Sequence, residues 1–492
     1  MNMKIYNLKN LCLLLLFAFS ISSCKKVLDV NTDPNNPSTS TPQLVMPSGQ
    51  AMLAATVGNT WGYIGSMWAQ YWTGGYGVSS SQLEYYNMVS ADVEGGWTRA
   101  YARTLEDFYY LIKSDQPVHA GMAKIMSAYL YQMLVDVHGD IPFTEALKGE
   151  AADGGITAPK YDKEQAVYDA LIPMINEGIA GLDATGGLVT PPSSEDLIYG
   201  GDIDKWKVFA NTLKLKILVR RGDYTAAKSL MDAGTVFISD ANDEAKFEFF
   251  ETGQNTNPLW ARFQSRTTTG MYYVGTSASV TKLEALADPR LSEIYVTGNA
   301  GHEGVDAGDI NDNTTKYPSG GSNNRFDRPI SDFSGTTPTK TYGPKVPVFF
   351  ISAWESYFLQ AEVLTRLGLD GSTLLESAIQ ASFDYYGVGS ASAYTATLGY
   401  GGASTEDRVD ILAIQKWISM NGLQMCEGWL ETVRFDRPGH NVFSGGIFTT
   451  PINTTLAPST FPSSFVYPTQ ETSYNSNTPA GRTVSSKRFW DI

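Results

Sequence analysis

The chain predicts a mostly α-helical single domain with one loop-rich face, on three grounds. Apolar residues recur every three or four positions through most of its length, the period of a buried helix face. The turns between those runs are short and carry the Gly, Pro and capping residues that separate paired helices. The pattern lapses at length only between residues 240 and 345, where Gly, Asn, Asp, Thr and Pro crowd the sequence. A loop region of that extent in a compact domain is usually functional. With 42% hydrophobic and 18% charged residues in a chain of 492, the composition is that of a globular protein with length enough for a substantial core.

The chain opens with Lys4 and Lys9, then an uncharged apolar run from Leu11 to Phe19, too short to span a bilayer as a helix. Small residues lead to the cysteine in Ile21-Ser22-Ser23-Cys24, and Lys25-Lys26 follow. This resembles a bacterial lipobox, so residues 1–23 are expected to leave as a lipoprotein signal peptide and Cys24 to carry acyl chains. An ordinary secretory signal with an incidental cysteine is the competing reading. Residues 24–42, with Asp33-Pro34-Asn35-Asn36-Pro37, read as a flexible extended tether, and 43–492 as the binding domain. Cys12 leaves with the signal and Cys24 takes lipid, so Cys426 stands alone and no intrachain disulfide is expected. Met425 and Trp429 give Cys426 an apolar helical setting, in which a thiol is inert. No later run reaches membrane-spanning length.

Formal charge is −15, and −17 once Lys4 and Lys9 are removed, since residues 1–23 hold no acid to offset them. So acidic a chain repels nucleic acid and anionic headgroups, which excludes nucleic-acid binding. Aromatic content is 12%, with 10 Trp and 27 Tyr; that suits a surface that stacks on sugars, although most of the rings belong in the core.

From Gln43 the spacing is helical, with Trp61, Ile64, Trp68 and Tyr71 on one stripe. Between Thr73 and Asn87 it breaks at a Gly/Ser loop, Gly74-Gly75-Tyr76-Gly77-Val78-Ser79-Ser80-Ser81. Trp97, Tyr101, Leu105, Phe108 and Leu111 resume it, and Met122, Ile125, Tyr129, Met133 and Val137 mark a third helix. Gly139 and Pro142 stop that helix. Val167 to Leu182 and Trp206 to Ile217 carry further stripes, and Asp223 is placed to cap the short helix through Met231. Phe350, Trp354, Tyr357, Ala361 and Leu364 form another stripe, stopped by Gly368, and Leu375, Ile379, Phe383 and Tyr386 follow after Ser372. Paired helices with short turns are what tetratricopeptide-like units need, though no strict 34-residue period is visible. Short strands are expected at Phe247-Glu248-Phe249-Phe250 and Tyr272-Tyr273-Val274 within the loop-rich segment.

Five stretches resemble one family in order. Asp136-Val137-His138-Gly139-Asp140-Ile141-Pro142-Phe143-Thr144-Glu145-Ala146 is similar to the D-x-Y-G-D-[IV]-P-[YF]-[ST]-E-A signature of the SusD/RagB family of outer-membrane nutrient-binding lipoproteins. Its departure is His138, which stands where an aromatic ring would pack and is read as structural. Asn31-Thr32-Asp33-Pro34-Asn35-Asn36-Pro37 resembles the segment after the lipid cysteine in the starch-binding-associated branch. Ala287-Asp288-Pro289-Arg290-Leu291 resembles its DPRL element, and Gln415-Lys416-Trp417-Ile418 through Glu427-Gly428-Trp429 its QKW…EAW helix. Tyr467-Pro468-Thr469-Gln470-Glu471 with Asn475 resembles its C-terminal ending. The resemblance implies a single SusD-like domain built on tetratricopeptide-like helix pairs. It also implies a SusC-like TonB-dependent outer-membrane transporter as partner.

No HExxH, P-loop, G-x-S-x-G or dinucleotide fingerprint is present, and the 4 histidines are scattered without ligand spacing. No catalytic residue, cofactor or metal is therefore assigned. A glycosidase carboxylate pair leaves no sequence mark, so a hydrolase stays open on residues alone. Asp306, Asp309, Asn311, Asp312 and Asn313 offer oxygen ligands but lack the terminal Glu of an EF-hand loop, and a solvated turn is the preferred reading. Trp72, Tyr76, Tyr85 and Tyr86 lie in or beside the Gly/Ser loop, off the main stripes, and are the expected ligand contacts. Any one of these rings is more readily read as packed in the core than as facing a ligand, and it is the group as a whole that is expected to include a contact; Asn324, Arg325, Phe326 and Asp327 form a weaker set. The expected function is that of a lipid-anchored, cell-surface outer-membrane protein that binds an oligosaccharide and delivers it to the transporter. The alternatives are a RagB-like peptide binder, a lipid-anchored glycoside hydrolase and a pure interaction scaffold.

Overall fold

The first helix begins where the sequence puts a proline. Pro42 needs no N–H in the opening turn of α1 (Pro42–Thr56), which continues through a π turn at Val57–Trp61 into α2 (Gly62–Trp68). The computed structural model describes residues 40–74, 82–186, 190–250, 255–260, 273–295, 301–309 and 343–491. Helices α3 (Ser90–Arg99) and α4 (Glu106–Ile112) are joined by a second π turn, Ala100–Leu105. The long α5 (Pro117–His138) follows, and Met122, Ile125, Tyr129, Met133 and Val137 are all buried as their spacing predicts. Gly139 ends it at φ +84°, a value glycine adopts without strain.

Helix α6 (Glu164–Leu182) packs along α5. A Cβ on Gly121 of α5 would lie 2.6 Å from the Gly178 carbonyl oxygen of α6, so only glycine lets the two backbones approach this closely. Helices α7 (Ile203–Arg220) and α8 (Tyr224–Asp232) form the next pair, and the Asp223 side chain accepts from the Ala226 N–H at 3.1 Å, the expected cap. The last pairs are α10 (Ala353–Arg366) with α11 (Ser372–Tyr386), and α12 (Thr405–Met420) with α13 (Met425–Phe435). The main apolar core runs through most of these helices, from Met46 to Trp490.

Among the described residues sheet is confined to two-stranded pairs. Strand β1 (Trp72–Gly74) runs antiparallel to β5 (Tyr273–Gly275), with Trp72 opposite Gly275 and Gly74 opposite Tyr273. Strand β2 (Ile141–Pro142) pairs with β3 (Tyr161–Asp162), and β4 (Ala245–Phe247) with β6 (Val348–Ile351). The loop-rich segment thus holds short strands near the expected places. It also contains helix α9 (Ser277–Ala285), capped by Thr276.

One boundary is corrected. The stripe starting at Phe350 suggested helix, but Phe350 lies in β6, whose four residues are all buried. Helix α10 starts at Ala353 because the Ser352 hydroxyl accepts the Glu355 N–H at 3.2 Å.

Candidate ligand-binding site

Asn31 to Pro37 lies outside the described residues; the other four family-like stretches carry buried polar side chains, and these tie the helices together. Asp136 on α5 accepts from Gln132 at 2.6 Å and from the Trp490 indole at 2.9 Å, and faces Arg220 of α7 at 3.4 Å. Arg220 also pairs with Glu427 and Glu431 of α13. Lys216 of α7 bridges Glu355 of α10 at 2.8 Å and Glu427 at 3.0 Å, and Lys416 of α12 reaches Glu431 at 3.1 Å. Burial lifts the Asp136 carboxyl, with Arg220 opposing. Burial acts the same way on Glu431, yet Arg434, Lys416 and Arg220 together hold it well below the usual carboxylate range. Such a network orients five helices; removing one partner strands the others.

The remaining motif residues do the same. Arg290 forks onto Asp288 at 2.9 and 2.6 Å and reaches Gln415, Ser382 and Ser419. Trp417 donates to the Ala69 carbonyl and stacks on Tyr71, whose hydroxyl lies against Gly428 with no room for a Cβ. Glu471 accepts from Tyr161 at 2.6 Å and from Trp97. His138 is fully buried, edge-on to Trp97 and stacked with Tyr467, and donates from Nδ1 to the Val466 carbonyl at 3.0 Å. Burial, aided by Arg482, pushes its pKa down to about 3, so it packs as a neutral ring. Cys426 is buried too, and burial raises its thiol well above the ordinary value.

The aromatic residues expected at a ligand lie at a seam between distant segments. Thr73 donates to Glu84 at 3.1 Å and accepts from the Gly308 N–H at 2.9 Å; the Gly74 N–H donates to Glu84 at 3.0 Å. Tyr85 donates to the Gly308 carbonyl at 3.4 Å, and Tyr86 accepts from Gln70 at 2.8 Å beside the Phe461 ring. Trp72, Tyr85 and Tyr86 are 2%, 8% and 1% exposed, so none presents an open ring face. The reason is tertiary: β5 pairs with the strand that holds Trp72, the turn at Gly308 meets Tyr85, and Gln70 and Phe461 meet Tyr86. Tyr76 lies outside the described residues, as do Cys24, Asn311, Asp312, Asn313, Asn324, Arg325, Phe326 and Asp327. Asp306 and Asp309 form a turn closed at 2.9 Å, and among the described residues no three His, Cys, Asp or Glu are grouped to hold a metal ion.

Two hollows are open instead. One, of about 540 Å³, is lined by Arg220, Arg221, Arg366, Arg434 and Arg437 with Trp490. Each arginine is already engaged: Arg434 with Glu362 at 2.6 Å, Arg437 with Glu406 at 2.6 Å, Arg221 with Asp169 at 3.3 Å, Arg366 with Glu362 at 3.6 Å. An anion would find little net positive charge there. The other, of about 630 Å³, is a mainly apolar trough between α4, α5, α6 and residues 143–148. Sequence reading missed it, because Tyr109, Tyr131 and Phe143 carry the same helical or motif spacing as core residues.

A family described as starch-binding and associating with the outer membrane matches residues 34–468. Among solved structures, a chitin-binding protein has this fold with a TM-score of 0.70, at 20% identity over 91% of this chain and 100% of that one. A chitin-binding SusD homolog from Flavobacterium johnsoniae gives 0.70 at 18% identity, over 91% and 98%. A SusD homolog from Bacteroides uniformis gives 0.70 at 19%, over 91% and 99%. At these identities the likeness establishes the fold. No curated protein matches.

Proposed function

The chain belongs to the SusD-like family described as starch-binding and associating with the outer membrane, and from that premise we propose that it captures an oligosaccharide at the cell surface and delivers it to a SusC-like TonB-dependent transporter. The observation that carries the reading is the match over residues 34–468, nearly the whole folded chain. The shared fold with two chitin-binding proteins supports a glycan as the nutrient. The role is binding without catalysis. In this reading acyl chains on Cys24 hold the protein to the membrane, and residues 25–42 are the tether. Among the described residues no helix is long and apolar enough to cross a membrane. The proposed capture site is the loop-rich face at the β1–β5 seam, near Trp72, Tyr85 and Tyr86.

The test uses the full mature chain. Purified protein is titrated with maltoheptaose, chitohexaose and a peptide pool by calorimetry, and the mixtures are analysed for cleavage products. Retention of a glycan without products is expected. Cleavage would overturn the non-catalytic role, and retention of peptides alone would overturn the glycan assignment. A tagged chain extracted from outer membranes in mild detergent should bring down a β-barrel transporter; elution alone at low and moderate salt argues for a free-standing binder.

A further inference from the structure

The chain enters α1 with little to hold its first turn. Thr41, at the N-cap position, makes no side-chain hydrogen bond to that turn, and Leu44 is 70% exposed. The leading N–H groups of a helix are left to solvent when no cap takes them. Met46 is the first fully buried residue of α1. Ahead of it, Ser40 is fastened from another helix. Its N–H donates to the Tyr110 hydroxyl of α4 at 2.9 Å, and that hydroxyl donates in turn to the Ser40 carbonyl at 2.5 Å. One side chain thus takes both of the backbone bonds that a strand neighbour would exchange with Ser40.

Tyr110 stands on firm ground. It is 37% exposed at the edge of α4, while Phe108 and Leu111 of the same helix are fully buried. Helix α4 is itself locked onto α1: a Cβ on Gly49 would lie 2.5 Å from the Phe108 ring, so ring meets backbone with no room between. A pull on Ser40 therefore passes into α4 and the core behind it, and bypasses the uncapped turn of α1. Both bonds are made to backbone atoms of Ser40, so they hold whatever side chain stands there. An exposed phenol that had only to be solvated needs neither bond, since water serves it about equally well.

We propose that Tyr110 fastens the membrane tether to the fold, holding the chain at Ser40 so that the pull of the anchor is borne by α4 and not by the first turn of α1. The inference rests on the tether of the capture reading. It is tested on the full mature chain, kept in detergent with its lipid, using two variants. Tyr110→Phe keeps the ring and removes the hydroxyl; Ser40→Ala keeps both backbone partners. In Tyr110→Phe, amide exchange at Ser40 should quicken about tenfold, as loss of about 1.4 kcal/mol implies, with the change confined to residues 40–45. Thermolysin should cut before Leu44 faster by a similar factor, and Ser40→Ala should behave as the unmodified chain does. Equal exchange and cutting in Tyr110→Phe and the unmodified chain overturns the fastening, as does lost protection in Ser40→Ala. Quickened exchange through the whole of α1 and α4 would be general loosening and overturns it as well. If a variant fails to fold, the unmodified chain still decides: a Ser40 amide that exchanges at the rate of an unfolded chain overturns the fastening. Detergent partitioning separates the two readings. An unmodified chain found in the aqueous phase overturns the tether and this role with it, whereas one in the detergent phase without protection at Ser40 overturns the fastening alone.

Discussion

Replacing His138 with phenylalanine should change how stability depends on pH. In the fold the ring is fully buried among Trp97, Phe465 and Tyr467, and burial together with Arg482 pushes its pKa from 6.5 down to about 3. A histidine with a depressed folded pKa binds fewer protons in the native state than in the unfolded one. Its contribution is therefore fully present above pH 6.5 and is lost as the pH falls towards 3. Each unit of separation is worth about 1.4 kcal/mol, so at pH 4.5 unmodified protein should have lost roughly 2.7 kcal/mol through this residue alone. Phenylalanine keeps a ring in the same space but leaves the Val466 carbonyl without its donor, at a pH-independent penalty of about 1–3 kcal/mol. The assay is urea denaturation of both proteins from pH 7.5 to 4.5. The His138→Phe variant should be the less stable at neutral pH, and the gap should close or reverse on acidification. Because the other buried carboxylates titrate in both proteins, the difference between the two curves isolates His138. Parallel curves would refute the neutral, buried imidazole.

Glu427→Gln should destabilise the fold by roughly 3–5 kcal/mol, because Arg220 and Lys216 lose a shared buried counter-charge; an unchanged denaturation midpoint would contradict the network. Trp72→Ala should cost roughly 3–5 kcal/mol as a core truncation. A retained melting temperature with weaker glycan binding would instead make the ring a ligand contact. Cys24→Ala should move the protein from the detergent phase to the aqueous phase on partitioning, and mutant protein remaining in carbonate-washed membranes would sink the lipid anchor.

The helices that the sequence made legible are those whose apolar stripe also carries a stop or cap. Met122 to Val137 ended by Gly139, and Asp223 capping the helix through Met231, stand as their spacing predicts. There the determinants are local: a 3.6-residue period, a left-handed glycine and a side-chain acceptor within three residues of its donor. Phe350 went the other way because a buried apolar run is equally at home in a strand, and its partner β4 lies about a hundred residues earlier in the chain.

By itself the sequence determined the helical class, the family and the polar residues whose spacing recurs in it. Tertiary structure decided what those residues do. Asp136, Arg290, Glu427 and Glu471 hold separate elements to one another, a role visible only when partners far apart in the sequence are brought together. It likewise decided that Trp72, Tyr85 and Tyr86 are covered, by β5, the turn at Gly308 and the Phe461 ring respectively, while Tyr109 and Tyr131 line an open trough. Periodicity reports which face of an element is apolar. Whether that face is filled by the chain or left open to a ligand depends on what packs against it, and no local pattern encodes that.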